Sequence, residues 1–169
     1  MQLQTIIPVS PASFQIVPQT VMLLMGSCFA ENIGEILTSL RFQSTINPFG
    51  IVYNPISLAK NISYLLGEKT WNEKNMAFSQ EQWHSFDHHS RFSHIEKEKC
   101  ISNILANIET GKNALQKTEI LAITLGTAWA YRHLESGEIV ANCHKLPAHF
   151  FQKELLSVDE IVANLSAIF

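Results

Sequence analysis

The sequence has little cysteine, no excess of basic charge and no long apolar run, and each shortage excludes something. Its cysteines number three, Cys28, Cys100 and Cys143. An odd set without Cys-x-x-Cys spacing makes neither a disulfide framework nor a structural zinc site, and reduced thiols are expected. Lysine and arginine total 12 against 15 aspartates and glutamates, for a net charge of -3. That balance leaves no basic footprint, so nucleic acid is not an expected partner. The run Val21-Met22-Leu23-Leu24-Met25 is too short for a signal segment and comes too late, and Met1-Gln2-Leu3-Gln4 carries no basic region. Nothing approaches a membrane span, so a cytoplasmic location is expected. Repeats and low-complexity tracts are absent as well.

What is present reads as globular. The 169 residues are 46% hydrophobic and 16% charged, enough for a real core and most simply one domain, 1–169. The chain is organised around Gly26-Ser27-Cys28-Phe29-Ala30. An apolar strand precedes this pentapeptide. A stretch with Phe29, Ile33, Ile36, Leu37 and Leu40 on one helical face follows it. A strand that turns at Gly-Ser into a helix places a hydroxyl at the strand's carboxyl end, beside the helix's first amides.

Residues 1–20, with Pro8, Pro11 and Pro18, read as an extended arm. Strands are predicted over 21–26, 42–46 and 119–126, and helices over 28–41, 56–66 and 95–115. Gly67 closes the second helix, and Gly111 weakens the last turns of the third. Residues 68–95, rich in Trp, Phe and His, read as an irregular lid or insertion lining a pocket. Residues 129–132 and 139–142 flank Glu135-Ser136-Gly137-Glu138 as a hairpin. Ser157-Val158-Asp159-Glu160 is a capping box opening a final helix. The alternation of strands and helices implies an α/β fold with a mainly parallel sheet.

Ser27 is the first candidate nucleophile, although an N-cap serine is the plainer reading. Cys28 is a rival at a helix N-terminus, but is expected to point into the fold. Gly50 and Gly126-Thr127 follow the next two strands, on the sheet edge that carries Ser27. An N–H at Gly50, with a hydroxyl or N–H at Thr127, would complete an oxyanion hole with the Ser27 amide. Asn142-Cys143-His144-Lys145 is a polar block in which Asn142 and His144 are further candidates. His84, His88 and His89 resemble a metal cluster in linear order, but surface or lid positions fit them better. No cofactor or metal is called for, and Asp87 has no evident partner.

Several blocks resemble one family in order: Gly26 to Ala30, Asn47-Pro48-Phe49-Gly50, Trp83 to Ser93, Thr124 to Trp129, and Asn142 to Lys145. They look like the recurring blocks of the GSCFA-domain family of bacterial proteins. That family is itself similar to the SGNH/GDSL hydrolases, three-layer α/β/α enzymes that cleave esters with a Ser–His pair. The resemblance implies Ser27 as nucleophile, Gly50 as oxyanion glycine, and Gly126-Thr127-Ala128 in place of the hydrolases' Gly-x-Asn. Two departures stand out. Ala128 replaces the asparagine, and no Asp-x-x-His or Ser-Pro-x-x-His occurs before Phe169. The expectation is a fold incomplete at its C-terminus, belonging to a longer protein.

The leading expectation is therefore an SGNH-type serine hydrolase acting on a small-molecule or carbohydrate ester, with its base histidine missing from these residues. Trp71, Trp83 and Trp129 suggest sugar stacking, although core packing fits at least two of them better. The alternatives are an inactive ligand-binding module of the same fold and a metal-dependent hydrolase using the His-rich loop. The oligomeric state is not legible.

Overall fold

A computed structural model describes residue 8 and residues 10–168. Residues 10–19 are exposed and form neither helix nor strand, as expected of an arm; the rest of the expected arm, apart from Pro8 and Thr20, lies outside the described residues. Among the described residues four α-helices and eight strands follow. They are β1 (Val21–Gly26), α1 (Cys28–Ser39), β2 (Gln43–Ile46), α2 (Pro55–Leu66), β3 (Met76–Ser79), β4 (Gln82–Ser85), α3 (Lys97–Lys117), β5 (Ile120–Thr124), β6 (Trp129–His133), β7 (Ile139–Val140), β8 (Phe151–Leu155) and α4 (Val158–Ser166).

The central sheet is parallel, in the order β2-β1-β5. Its middle strand is buried on both faces, as parallel strands require. Met22 and Leu24 face a cluster with Ala30, Ile33 and Leu37 of α1. Leu23 and Met25 face the larger core, with Phe49, Leu58, Ile62, Ile104 and Ile108. Among the described residues parallel pairing is confined to this sheet. β3-β4 and β7-β6-β8 are antiparallel, so the fold is mixed α/β and only partly parallel.

Several local expectations need correction. The buried face of α1 carries Ala30 and Gly34 flanked by the half-buried Ile33 and Leu37, whereas Phe29, Ile36 and Leu40 are exposed. Small residues win because the helix lies so close to β2 that a Cβ on Gly34 would sit 2.6 Å from Ile46. The helix also stops at Ser39, and Arg41 turns with φ 66°. Residues 68–95 are no irregular lid. They contain the β3-β4 hairpin, whose turn residues Gln80 and Glu81 both have positive φ, and they send Trp71, Phe86 and Phe92 inward. Gly111 admits Leu65 and Pro48 against α3, where a Cβ would meet Leu65 at 2.7 Å. The hairpin after residue 128 forms as β6-β7, and β8, unforeseen, joins its other edge. The α4 capping box forms in both directions between Ser157 and Glu160, and Gly67 caps α2 in the left-handed conformation.

Candidate functional site

The order β2-β1-β5 puts the carboxyl end of the middle strand between two neighbouring strand ends. Gly26 ends β1 with φ 127°, and a Cβ there would lie 2.0 Å from the Thr124 carbonyl oxygen. Only glycine lets β1 and β5 approach so closely at the turn. Ser27 follows as the N-cap of α1 and is 7% exposed. Its Oγ accepts from the Phe29 N–H at 3.3 Å and lies 3.0 Å from Thr124 Oγ1. Its N–H is shared between the Thr124 carbonyl and hydroxyl oxygens, each at 3.0 Å.

Asn47, after β2, holds this turn from the other side. It is 1% exposed, in the left-handed region at φ 42°, and its Oδ1 accepts the Gly26 N–H at 2.8 Å. Its Nδ2 donates to Glu31 of α1 at 3.2 Å. Arg91 donates to the Asn47 carbonyl oxygen and faces Glu31 at 3.4 Å. A chain of hydrogen bonds thus ties the start of α1 to the end of β2 and to the segment 87–93. Sequence reasoning assigned no role to Asn47, Glu31 or Arg91. The available signal was that Asn47 and Arg91 fall within the family-like blocks.

Gly50 sits where only glycine fits: φ is 77°, and a Cβ would lie 2.2 Å from the Cβ of His89. Its N–H donates to the Asn47 carbonyl at 2.7 Å. The N–H groups of Gly126 and Thr127 both donate to the Tyr53 carbonyl, at 2.9 and 3.2 Å. The Thr127 hydroxyl accepts from the Trp129 N–H at 3.0 Å. The amides expected to form an oxyanion hole, those of Ser27, Gly50 and Thr127, are therefore each engaged within the fold.

Cys28 is exposed, contrary to expectation, while Ser27 is the buried member of the pair. Burial, together with Cys28 beside its hydroxyl and Glu31 nearby, raises the Tyr53 pKa. Tyr53 also covers Gly126, where a Cβ would meet its ring at 2.5 Å. From there it reaches the wall of a 720 Å³ cavity between the sheet edge and the antiparallel sheet. Thr127, Asn142 and His89 line this cavity, whereas Ser27, Gly50 and His144 do not.

His144 turns the other way. It is 5% exposed, stacks on His84 at 4.6 Å, and donates from Nε2 to the Ser85 carbonyl at 2.7 Å. Asn142 accepts the His144 N–H at 2.9 Å and so shapes that turn. Burial lowers the His144 pKa to about 4, and lowers that of His88 to about 3 with help from His144 and Lys60. Ser85 Oγ accepts from Trp71 Nε1 and from the Asp87 N–H, so its own proton goes to His88 Nδ1 at 2.8 Å. His88 is thus a neutral core imidazole, packed among Phe49, Trp71 and Phe92. Burial also raises the Cys143 thiol to about 11, which argues against a thiolate there.

The surface or lid positions expected of His84 and His88 are wrong, since both side chains are buried. Among the described residues no three His, Cys, Asp or Glu side chains gather as a metal site. Asp87 does have partners: Lys60 at 2.8 Å, Asn75 at 2.8 Å and the Tyr64 hydroxyl at 3.1 Å. Burial opposes the Lys60 charge, yet Asp87 and Glu138 outweigh it and raise the Lys60 pKa. Trp71 is core, Trp83 is half-buried under Lys97, and Trp129 alone of the three lines the cavity. Among the described residues no helix is long and apolar enough to cross a membrane.

A mixed α/β fold with glycine-shaped turns gathered at the carboxyl edge of a parallel sheet is the class these features define. The GSCFA family model matches residues 21–169, and the chain belongs to the GSCFA family. No curated protein and no solved structure matches it.

Proposed function

We propose that Ser27 is the nucleophile of a serine hydrolase acting on ester bonds, in a site of SGNH/GDSL type. One observation carries this reading: Ser27 stands at the carboxyl end of the middle strand of β2-β1-β5, at a helix N-terminus, flanked by the Gly50 and Gly126-Thr127 turns. Open parallel sheets bind ligands at that edge. Ser27 Oγ would attack the acyl carbon, and its proton would pass to a base. No histidine among the described residues hydrogen-bonds to Ser27, so the reading requires a base from elsewhere. Rearrangement of the Ser27 or Gly50 amides toward substrate would supply the oxyanion donors.

A second reading, a ligand-binding module without chemistry, is favoured by the engagement of both amides within the fold. The test is labelling with a fluorophosphonate. Slow modification at Ser27, lost in Ser27→Ala, supports the hydrolase. Without a base, turnover of a short-chain aryl ester by these residues is expected to be weak. Complete absence of labelling, also in any longer protein that carries these residues, favours the module.

A further inference from the structure

The antiparallel sheet β7-β6-β8 has its faces arranged in an unusual way. Antiparallel sheets commonly bury one apolar face and show a polar one to water. Here the register pairs Tyr131 with Lys153 and Trp129 with Leu155, so these four side chains share one face. The opposite face puts Ala130, at 0% exposure, into a small core with Ile139, Leu156, Ile56 and Ile161. The outward face is nevertheless aromatic and apolar. Trp129 is 46% exposed, Tyr131 41% and Leu155 61%. Trp129, Tyr131 and Lys153, with Phe151 of the same sheet, form one wall of the 720 Å³ cavity, and Ile51, Tyr53 and Val140 lie among its other lining residues. That volume is in the range of small-molecule sites. An apolar patch continuous with a cavity marks a binding surface.

Charge narrows the ligand. Lys153 is the one lysine or arginine of the lining, which contains no aspartate or glutamate. Its Nζ stands 4.4 Å from the centre of the Trp129 ring. The neighbouring Glu154 is taken by Arg132, and among the described residues no carboxylate pairs with Lys153. We propose that this cavity binds an amphiphile with one apolar chain or ring and a single anionic head, the head meeting Lys153 and the apolar part lying against Trp129, Tyr131 and Phe151. Site and ligand stand whether or not Ser27 reacts.

The test is calorimetric titration of the protein with decanoate, decan-1-ol, decyltrimethylammonium and cellobiose. The expected result is saturable one-site binding of decanoate, about fivefold weaker in Lys153→Ala, with decanol unchanged by that substitution. Lys153→Glu should reverse the preference between decanoate and decyltrimethylammonium. Trp129→Ala and Ala148→Trp, both at exposed positions, should each weaken decanoate, by lost contact area and by filling of the rim. Equal binding of both charged probes, non-saturable binding, or saturable binding of cellobiose alone would overturn the proposal. Ser27→Ala should leave decanoate binding intact. Failed fluorophosphonate labelling, also in any longer protein that carries these residues, beside intact decanoate binding would therefore remove the hydrolase and leave this site standing.

Discussion

Thr124 Oγ1 lies 3.0 Å from both the amide nitrogen and the hydroxyl oxygen of Ser27, joining the end of β5 to the start of α1. One side chain therefore contacts both the hydroxyl and the backbone of the proposed nucleophile. Thr124→Val keeps the shape and removes the hydroxyl. It should lower stability by about 1–2 kcal/mol in urea denaturation, with Thr124→Ser retaining most of the wild-type value. Equal stability of the valine variant would mean that this contact does not hold the turn.

The strand-helix alternation that leads to this contact was legible because the central sheet and its helices carry strong periodicity. Boundaries and faces were less so. Of the hydrophobic stripe of α1, Phe29, Ile33, Ile36, Leu37 and Leu40, only Ile33 and Leu37 pack on the sheet, beside Ala30 and Gly34, because approach distance outweighs side-chain area there. The β3-β4 turn at Gln80-Glu81 lacks the usual Asn-Gly or Asp-Gly signal. β8, Phe151-Gln152-Lys153-Glu154-Leu155, acquires its partner only when β6 has formed. At the site, Ser27, Gly50 and Thr127 could be placed on one edge from the expectation of a parallel sheet. The Asn47 bond to Gly26 could not, because it spans 21 residues and depends on parallel register.

Asp87 and Lys60 form an ion pair in which the carboxylate side chain is 3% exposed and the lysine 15%. Removing Asp87 leaves Lys60 only the half-exposed Glu138 and takes the acceptor from the Tyr64 hydroxyl and the Asn75 amide. Asp87→Ala should cost about 3–5 kcal/mol. The double variant Lys60→Met, Asp87→Leu should be at least about 1 kcal/mol more stable than the sum of the Lys60→Met and Asp87→Leu single effects predicts. Strict additivity in denaturant titrations would show that the pair is not coupled.

His88 and His144 make the fold acid-sensitive. Their folded pKa values, about 3 and about 4, lie below the ordinary 6.5. The unfolded chain therefore takes up protons first as the pH falls. Their stabilising contribution is complete above about pH 6.5 and is lost progressively toward pH 4 and then pH 3. Between pH 7 and pH 5 the two together should remove roughly 3–4 kcal/mol. A urea midpoint that stays constant over that interval would refute the burial of neutral imidazoles at these positions.

Asn61 of α2 supplies the opposite case, a position where the fold carries a cost. It is 0% exposed, and among the described residues neither its amide nitrogen nor its oxygen has a hydrogen-bond partner. Two unsatisfied polar atoms in a core cost about 1–3 kcal/mol each relative to apolar groups of similar shape. The position is helical and flanked by the buried residues Leu58, Ile62 and Leu65, so an apolar side chain suits both the backbone and the surroundings. Asn61→Leu should raise stability by about 1 kcal/mol or more, the gain being reduced by the larger volume of leucine. Asn61→Val tests the same idea with less volume, at a small cost in helix propensity. If both variants are less stable than the wild type in thermal melts, the amide is satisfied in solution and α2 is not frustrated at this position.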